Sequence, residues 1–296
     1  MNNPLLHRIS QLVGFLLGAR VFVTLLLTFA LYVSTFFLFN QEESLRNFVF
    51  DFKVHGIIFC TILSVLAGGI INQFYDREKD QLTKPFRSRI QKFLKQKYFL
   101  YAYLSLNLIS LGIAFMISPR VFIFFLIYQF LMWFYSHKLS KILILNNLTF
   151  VTLTVYPFFG MWVYYQTFSA KIFLMAVFLF LILLISDIIK DILTRNADKI
   201  FGYTTIPNFW GANFSRKLIT ILAAILVFIS ILIISKEGIH NIMNLYFASG
   251  LLVITGAIYF LWSSQKKSSF FALNILRIWI FIGIIAMLFD GIIERF

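Results

Sequence analysis

Residues 56–80 read GIIFCTILSVLAGGIINQFYDREKD. The run is apolar for most of its length, in the manner of a helix entering a bilayer, and then Asn72, Asp76 and Asp80 follow at intervals of four. On a helix that spacing puts the three side chains on one face. Hydrophilic groups aligned at the end of an apolar helix are costly unless something binds them. The alignment therefore raises the question of a ligand.

The rest of the chain is built in the same apolar way. Of 296 residues, 60% are hydrophobic, 38 are Phe and only 13% are charged, with a mean hydropathy of +0.86. This excludes an ordinary soluble domain. Apolar runs approach the roughly 20 residues needed to span a bilayer, and they do not alternate in polarity as barrel strands do. Nine helices are predicted, over 11–39, 54–75, 98–117, 120–136, 147–168, 171–193, 215–235, 242–262 and 270–290. The fold class is an all-α integral membrane bundle of nine transmembrane helices. Short connections without a Pro- or Gly-rich linker make residues 1–296 one expected domain. The N-terminal apolar stretch carries no small-residue cleavage signature and reads as a retained first span. The lone cysteine, Cys60, permits no internal disulfide.

The net charge of +14 does not point to nucleic acid, because no soluble domain is left to carry such a function. Basic loops that set topology and meet anionic headgroups account for it. DREKDQLTKPFRSRIQKFLKQK, SHKLSK, KDILTRNADK and SSQKKSS fall in alternate loops, with Arg8 and Arg20 on the same side. That face holds 20 of the 26 Lys and Arg. It is expected to be cytoplasmic, with the N-terminus inside and the C-terminus outside a bacterial inner membrane.

The acids sort more sharply than the bases. On the basic face they are Asp76, Glu78, Asp80, Asp187, Asp191 and Asp198, all in two short stretches at the ends of the second and sixth helices. Asp187 and Asp191 are four apart and Asp198 follows seven later, so one helical stripe can carry all three. Like charges at this spacing repel. A divalent cation offsets the repulsion, and Mg²⁺ suits it because it takes one or two carboxylates and completes its shell with water and phosphate. Arg20, Lys84, Arg87, Lys138 and Lys141 lie on the same side. Metal, bases and an apolar interior together describe a site for a diphosphate on a hydrocarbon tail. The matching chemistry is heterolysis of a carbon–oxygen bond, with pyrophosphate leaving as a stabilised anion and an allylic cation shielded from water.

These residues also carry a family resemblance. NQFYDREKDQLTKPFRSR resembles the N-D-x-x-D-x-x-x-D motif, with its following K-P-x-R, of the UbiA superfamily of intramembrane prenyltransferases. DILTRNADKIFGYTTIP resembles that family's second motif, where spaced Asp residues precede D-x-x-x-G-x-x-T-x-P. WFYSHKLSK looks like its Tyr- and Lys-containing loop after the fourth helix. The resemblance implies two Mg²⁺ ions bridging a prenyl diphosphate. Asn72, Asp76 and Asp80 would serve one, and Asp191 and Asp198 the other, with Asp187 available. Among these, Asp76, Asp80, Asp191 and Asp198 would be the catalytic carboxylates, and Arg20, Lys84, Arg87, Tyr135, Lys138 and Lys141 would bind diphosphate. The implied acceptor is lipophilic, either a glycerol-phosphate ether lipid or an aromatic or quinone precursor. Within the superfamily the chain looks like the short, divergent bacterial members grouped with the geranylgeranylglyceryl-phosphate transferases.

Three positions depart from the pattern. Gln73 replaces the usual Asp of the first motif, Thr194 stands where many members carry Asp four residues before Asp198, and Ser88 stands where Pro commonly follows the motif arginine. The expectation is a Mg²⁺-dependent prenyltransferase. Its first rival is a terpene cyclase of the same family, which would quench the cation internally. The second is a cation-coupled transporter, which would place its acids near the bilayer midplane between broken helices. His137 is expected to be structural, and Gly68 and Gly69 to permit close helix packing.

Overall fold

Among the residues described by the computed structural model (13–14, 16–40, 44–91, 96–237, 241–263 and 267–295), nine helices are long and apolar enough to cross a membrane. The first span is Val21–Phe39, whose α-helical part is α1, Val21–Ser34; α2 to α9 are Phe52–Tyr75, Gln96–Ile117, Pro119–His137, Leu145–Tyr165, Ala170–Ile200, Ala212–Glu237, Ile242–Trp262 and Ser268–Arg295. No strand occurs among the described residues. Each predicted helix has its counterpart. Arg8, Lys92, Lys95 and Lys266 of the basic segments lie outside the described residues.

Large apolar side chains point outward all along the helices, for example Met116, Leu252 and Phe22 at 86%, 78% and 73% exposure. In water such surfaces would drive aggregation. Lipid solvates them, and the chain is an integral membrane protein.

Two expected helix boundaries shift. The first span does not run unbroken over 11–39: the chain turns at Ala19 and Arg20, where Arg20 has φ +53, and Thr35–Phe39 closes the span as a π-helix. A non-glycine residue at positive φ cannot continue a helix. The sixth helix, expected to stop at 193, continues to Ile200. Nothing before Gly202 breaks it, and its 31 residues extend about 46 Å against a hydrocarbon core of about 30 Å. The extra turns carry the second acidic stretch as helix.

By contacts the chain divides into two compact units, Met1–Tyr32 with Glu43–Ser140, and Val33–Glu42 with Lys141–Phe296. In the first, α2 packs against α3 and α4, which also pack on each other. Buried polar groups tie the three together. Gln129 Nε2 donates to Ser64 Oγ at 3.1 Å, Ser64 and Ser110 hydroxyls meet at 3.1 Å, and Cys60 Sγ donates to Ser110 O. Such bonds hold helices together where lipid offers no hydrophobic driving force. The paired glycines pack as expected. A Cβ on Gly69 would stand 2.9 Å from Ala19 O, and one on Gly68 2.6 Å from Met132 Sδ.

In the second unit α6 is central, packing against α5, α7 and α9, while α8 packs on α7 and α9. Ile182, Ile188, Ile189, Leu226, Phe247 and Trp279 form its core. The Phe178 ring meets Phe247 and Trp279 edge-on at 5.0 and 5.5 Å, a favoured aromatic geometry. At the far end, Arg295 of α9 donates to Phe36 O at 2.5 Å and Asn40 O at 2.9 Å, supplying donors to carbonyls of buried residues in and just after the π-helix.

Candidate functional site

The first acidic stretch sits where α2 ends. Asp76 leaves helical geometry (φ −89°, ψ 9°), and a new helix, Arg77–Thr83, starts at once. Lys84 interrupts again, and Pro85 opens the helix Pro85–Gln91, a position that suits its fixed φ and missing N–H. The K-P dipeptide is thus backbone punctuation as well as a source of charge. Across both breaks the backbone keeps hydrogen bonds four residues apart, Asp80 N to Asp76 O at 2.8 Å and Ser88 N to Lys84 O at 3.1 Å, and the side chains of the motif pair at the same spacing. Asn72 Nδ2 donates to Asp76 Oδ2 at 3.1 Å. Lys84 Nζ donates to Asp80 Oδ1 at 2.8 Å, and Asp80 is buried at 5% exposure.

Arg87 reaches Gln73 Oε1 at 2.9 Å and Gly18 O at 3.2 Å. The second contact takes up a carbonyl next to the turn at Ala19–Arg20. The guanidinium Nε of Arg87 is buried without a hydrogen-bond partner. Although the Lys84 side chain is 42% exposed, burial of its ammonium pushes its pKa down. Asp80 opposes that shift, and the positive charges of Arg20 and Arg87 reinforce it. The Arg87 pKa is lowered by burial and by Arg20, against Asp80 and Asp76. Arg20, Lys84 and Arg87 are therefore near enough to feel one another. A cluster of cations that repel beside two carboxylates is poised to receive an anion.

Tyr135 is half-buried near the end of α4, and Lys138 is exposed just beyond it. His137 stacks on Trp133 with centroids at 5.4 Å.

The second stretch is more deeply buried, with Asp187, Asp191 and Asp198 at 3%, 3% and 0% exposure. All three lie on α6, as their spacing predicts. Their neutralisation comes from residues that spacing does not reveal. Asn147 Nδ2 donates to Asp187 Oδ2 and Asp191 Oδ2, both at 2.8 Å, and Asn146 Nδ2 donates to Asp191 Oδ2 at 3.1 Å. Lys190 Nζ donates to Asp187 Oδ1 and lies 3.8 Å from Asp191 Oδ1. The two carboxylates are thus held between a pair of amides and an ammonium. Asn146 and Asn147 occupy the first turn of α5, which the chain enters through Ile144 at φ +66, a conformation that β-branched residues rarely adopt. The available signal was the asparagine pair at the head of an apolar helix, where an unpaired amide is costly.

Asp198 is met by Thr194, whose Oγ1 donates to its Oδ2 at 2.6 Å. The remainder of the second motif shapes the backbone. Gly202 takes φ +70 after the end of α6, as a glycine there can without a Cβ penalty. Tyr203 N then donates back to Asp198 O at 2.8 Å. Thr205 precedes the short helix Ile206–Phe209, with Pro207 in its first turn. Lys141 stands over the Tyr203 ring at 5.3 Å.

The donor set fits Mg²⁺. Every candidate ligand is a hard oxygen, four of the five motif carboxylates are buried, and Asn147 Oδ1 is a buried acceptor without a hydrogen-bond donor. Among the described residues no three His, Cys, Asp or Glu side chains form a ready-made ion cage. Mg²⁺ does not need one, because phosphate and water complete its shell.

The model of the UbiA prenyltransferase family matches residues 44–282, a stretch that takes in both acidic motifs. The digeranylgeranylglyceryl phosphate synthase of Thermococcus sibiricus is 32% identical over 192 residues, covering 63% of this chain and 67% of that protein. A solved structure reported for digeranylgeranylglyceryl phosphate synthase superposes with a TM-score of 0.72 at 20% identity, covering 95% of this chain and 99% of that one. A UbiA homologue from Archaeoglobus fulgidus, solved bound to DMAPP and Mg²⁺, gives 0.65 at 16% identity over 93% and 99%. At those identities the solved structures speak for the fold. The match over most of the length settles the lineage: this chain belongs to the UbiA prenyltransferase family.

Proposed function

We propose that this prenyltransferase moves a geranylgeranyl-type group from its diphosphate to the hydroxyl of a glycerol-phosphate ether lipid, at the cytoplasmic face of the cell membrane. The observation that carries the acceptor is the 32% identity to a digeranylgeranylglyceryl phosphate synthase. The two compact units act as one prenyltransferase domain, since the family match runs through both. The N-terminus lies inside, as the excess of bases on one set of loops supports.

Asn72, Asp76 and Asp80 would hold one Mg²⁺, and Asp191 and Asp198, with Asp187, would hold a second. Bound there, Mg²⁺ would supply charge neutralisation for the diphosphate and the departing pyrophosphate. The side chains supply the rest. Lys84, paired with Asp80 at 2.8 Å, would offer its ammonium to a phosphate oxygen. Arg87 offers its free Nε, and Arg20, Tyr135, Lys138 and Lys141 complete the anion's partners. Asn147 and Asn146 hold the Asp191 carboxylate in a single orientation, so that no reorganisation is needed as charge develops. No covalent intermediate with the protein is required.

The test uses purified protein, radiolabelled geranylgeranyl diphosphate and Mg²⁺ with glycerol-phosphate, aromatic and macrocyclic acceptors. Wild type should prenylate the glycerol-phosphate acceptor, and Asp76→Ala or Asp198→Ala should abolish transfer. Transfer to another acceptor, or cyclic hydrocarbon made from the diphosphate alone, would overturn the reading.

A further inference from the structure

The first acidic motif has a second face, of which this chemistry uses only Asp80. Asn72 and Asp76 pair on one side of the chain, while Gln73 and Arg77 turn to another and line a cavity of about 480 Å³. Asp80 closes part of the wall, Arg89 enters from the helix Pro85–Gln91, and Phe74 and Phe99 supply an apolar side. The whole cavity lies within the first unit. Its size is that of a small-molecule site.

The charges on this wall have a definite balance. The Asp80 carboxylate is already matched by Lys84 at 2.8 Å, which leaves the two guanidinium groups of Arg77 and Arg89 as excess positive charge. Guanidinium presents a planar fork that suits phosphate oxygens. Neither arginine belongs to the Arg20, Lys84 and Arg87 group whose charges act on one another. The apolar side suits the hydrocarbon adjoining a headgroup. An uncharged quinone precursor would leave both guanidiniums without an anion.

We propose that this cavity binds the phosphomonoester of the acceptor, with Arg77 and Arg89 as its anion ligands, and so selects glycerol-phosphate lipids. The proposal rests on the acceptor reading above. It gives Asp80 a place on the boundary between the acceptor's phosphate and the metal-bound diphosphate.

The experiment uses the full chain in nanodiscs of zwitterionic lipid, comparing wild type with Arg77→Gln, Arg89→Gln, the double variant and the two Arg→Lys changes. Acceptor KM should rise about tenfold for each Gln variant, with donor KM and kcat within about twofold and partial recovery in the Lys variants. Separately, calorimetry with glycerol 1-phosphate, without donor or Mg²⁺, should show binding to wild type and none to the double variant. Unchanged acceptor KM and probe binding would overturn the cavity assignment while leaving the prenyltransferase reading intact. Donor KM rising in step with acceptor KM would instead make these arginines diphosphate ligands. A defect seen only in nanodiscs rich in anionic lipid would make them contacts to bulk headgroups. If wild type transfers only to a non-phosphorylated acceptor, the acceptor reading fails, and this proposal with it.

Discussion

Replacing Asn147 by Leu removes one amide that serves two buried carboxylates. Its Nδ2 donates to Asp187 and Asp191, each at 2.8 Å, in a site where both acids are 3% exposed. Hydrogen bonds to charged groups contribute about 1.5–3 kcal/mol each. The two losses do not add fully, because Lys190 remains beside both acids and Asn146 still reaches Asp191. A loss of about 3 kcal/mol is expected. Asn146→Leu gives up one 3.1 Å bond to a carboxylate that keeps Asn147, and about 1 kcal/mol is expected there. The assay is thermal unfolding of the purified protein in nanodiscs, followed by tryptophan fluorescence, with transfer rate measured against Mg²⁺ concentration. Asn147→Leu should melt several degrees below Asn146→Leu, and its half-saturating Mg²⁺ should rise because Asp191 is no longer held in orientation. Equal melting of the two variants, with an unchanged Mg²⁺ requirement, would refute the view that the α5 amides hold these α6 carboxylates in place.

Four further outcomes follow from the same geometry. Thr194→Val keeps the shape but removes the 2.6 Å donor to a fully buried Asp198; transfer should fall about tenfold or more and the melting temperature should drop by a few degrees, and an unaltered rate would refute it. Lys84→Met strips Asp80 of its partner, so donor KM should rise several-fold in steady-state kinetics. Gly69→Ala forces a Cβ to within 2.9 Å of a backbone carbonyl and should cost about 1–3 kcal/mol, read as a lower melting temperature. Chelation with EDTA should abolish transfer, and added Mg²⁺ should restore it.

How much of this was legible depended on sequence distance. The nine spans were readable because apolar length is a local property. Asp187, Asp191 and Asp198 were readable as a stripe because helical spacing is local too. The role of Asn147 was not: an asparagine pair at the head of an apolar helix hints at a buried partner, but the carboxylates it meets lie 40 and 44 positions away. Nor was the turn at Arg20, because arginine at positive φ follows no local preference. The length of α6 was underestimated for the opposite reason. Charged residues resembled a loop, whereas amides and a lysine from within the same unit allow the acids to remain helical.

The departures from the family pattern take on physical meaning at this point. Of the residues that shape the backbone, Pro85 opens its helix, Gly202 follows α6 and Pro207 lies in the first turn of the next short helix; Ser88 is the exception, standing where Pro is usual, and its N–H donates to Lys84 O at 3.1 Å. The other two changes fall on charge. Gln73 removes a negative charge yet still gives Arg87 an oxygen at 2.9 Å. Thr194 removes another yet donates to Asp198 at 2.6 Å. The second stretch still carries three carboxylates, because Asp187 stands one helical turn before Asp191 and is held by Asn147 and Lys190. Mg²⁺ needs only one or two carboxylates beside phosphate, so hydrogen bonds in place of charges leave the chemistry possible. They also lower the repulsion that the unliganded protein must bear. The expected consequence is a site that keeps its shape without metal better than one with acids at both positions, at the expense of weaker Mg²⁺ affinity. Restoring both acids, as Gln73→Asp with Thr194→Asp, should lower the melting temperature of the metal-free protein and lower the Mg²⁺ concentration needed for half-maximal transfer. If both quantities move the other way, the two substitutions are not trading charge for order.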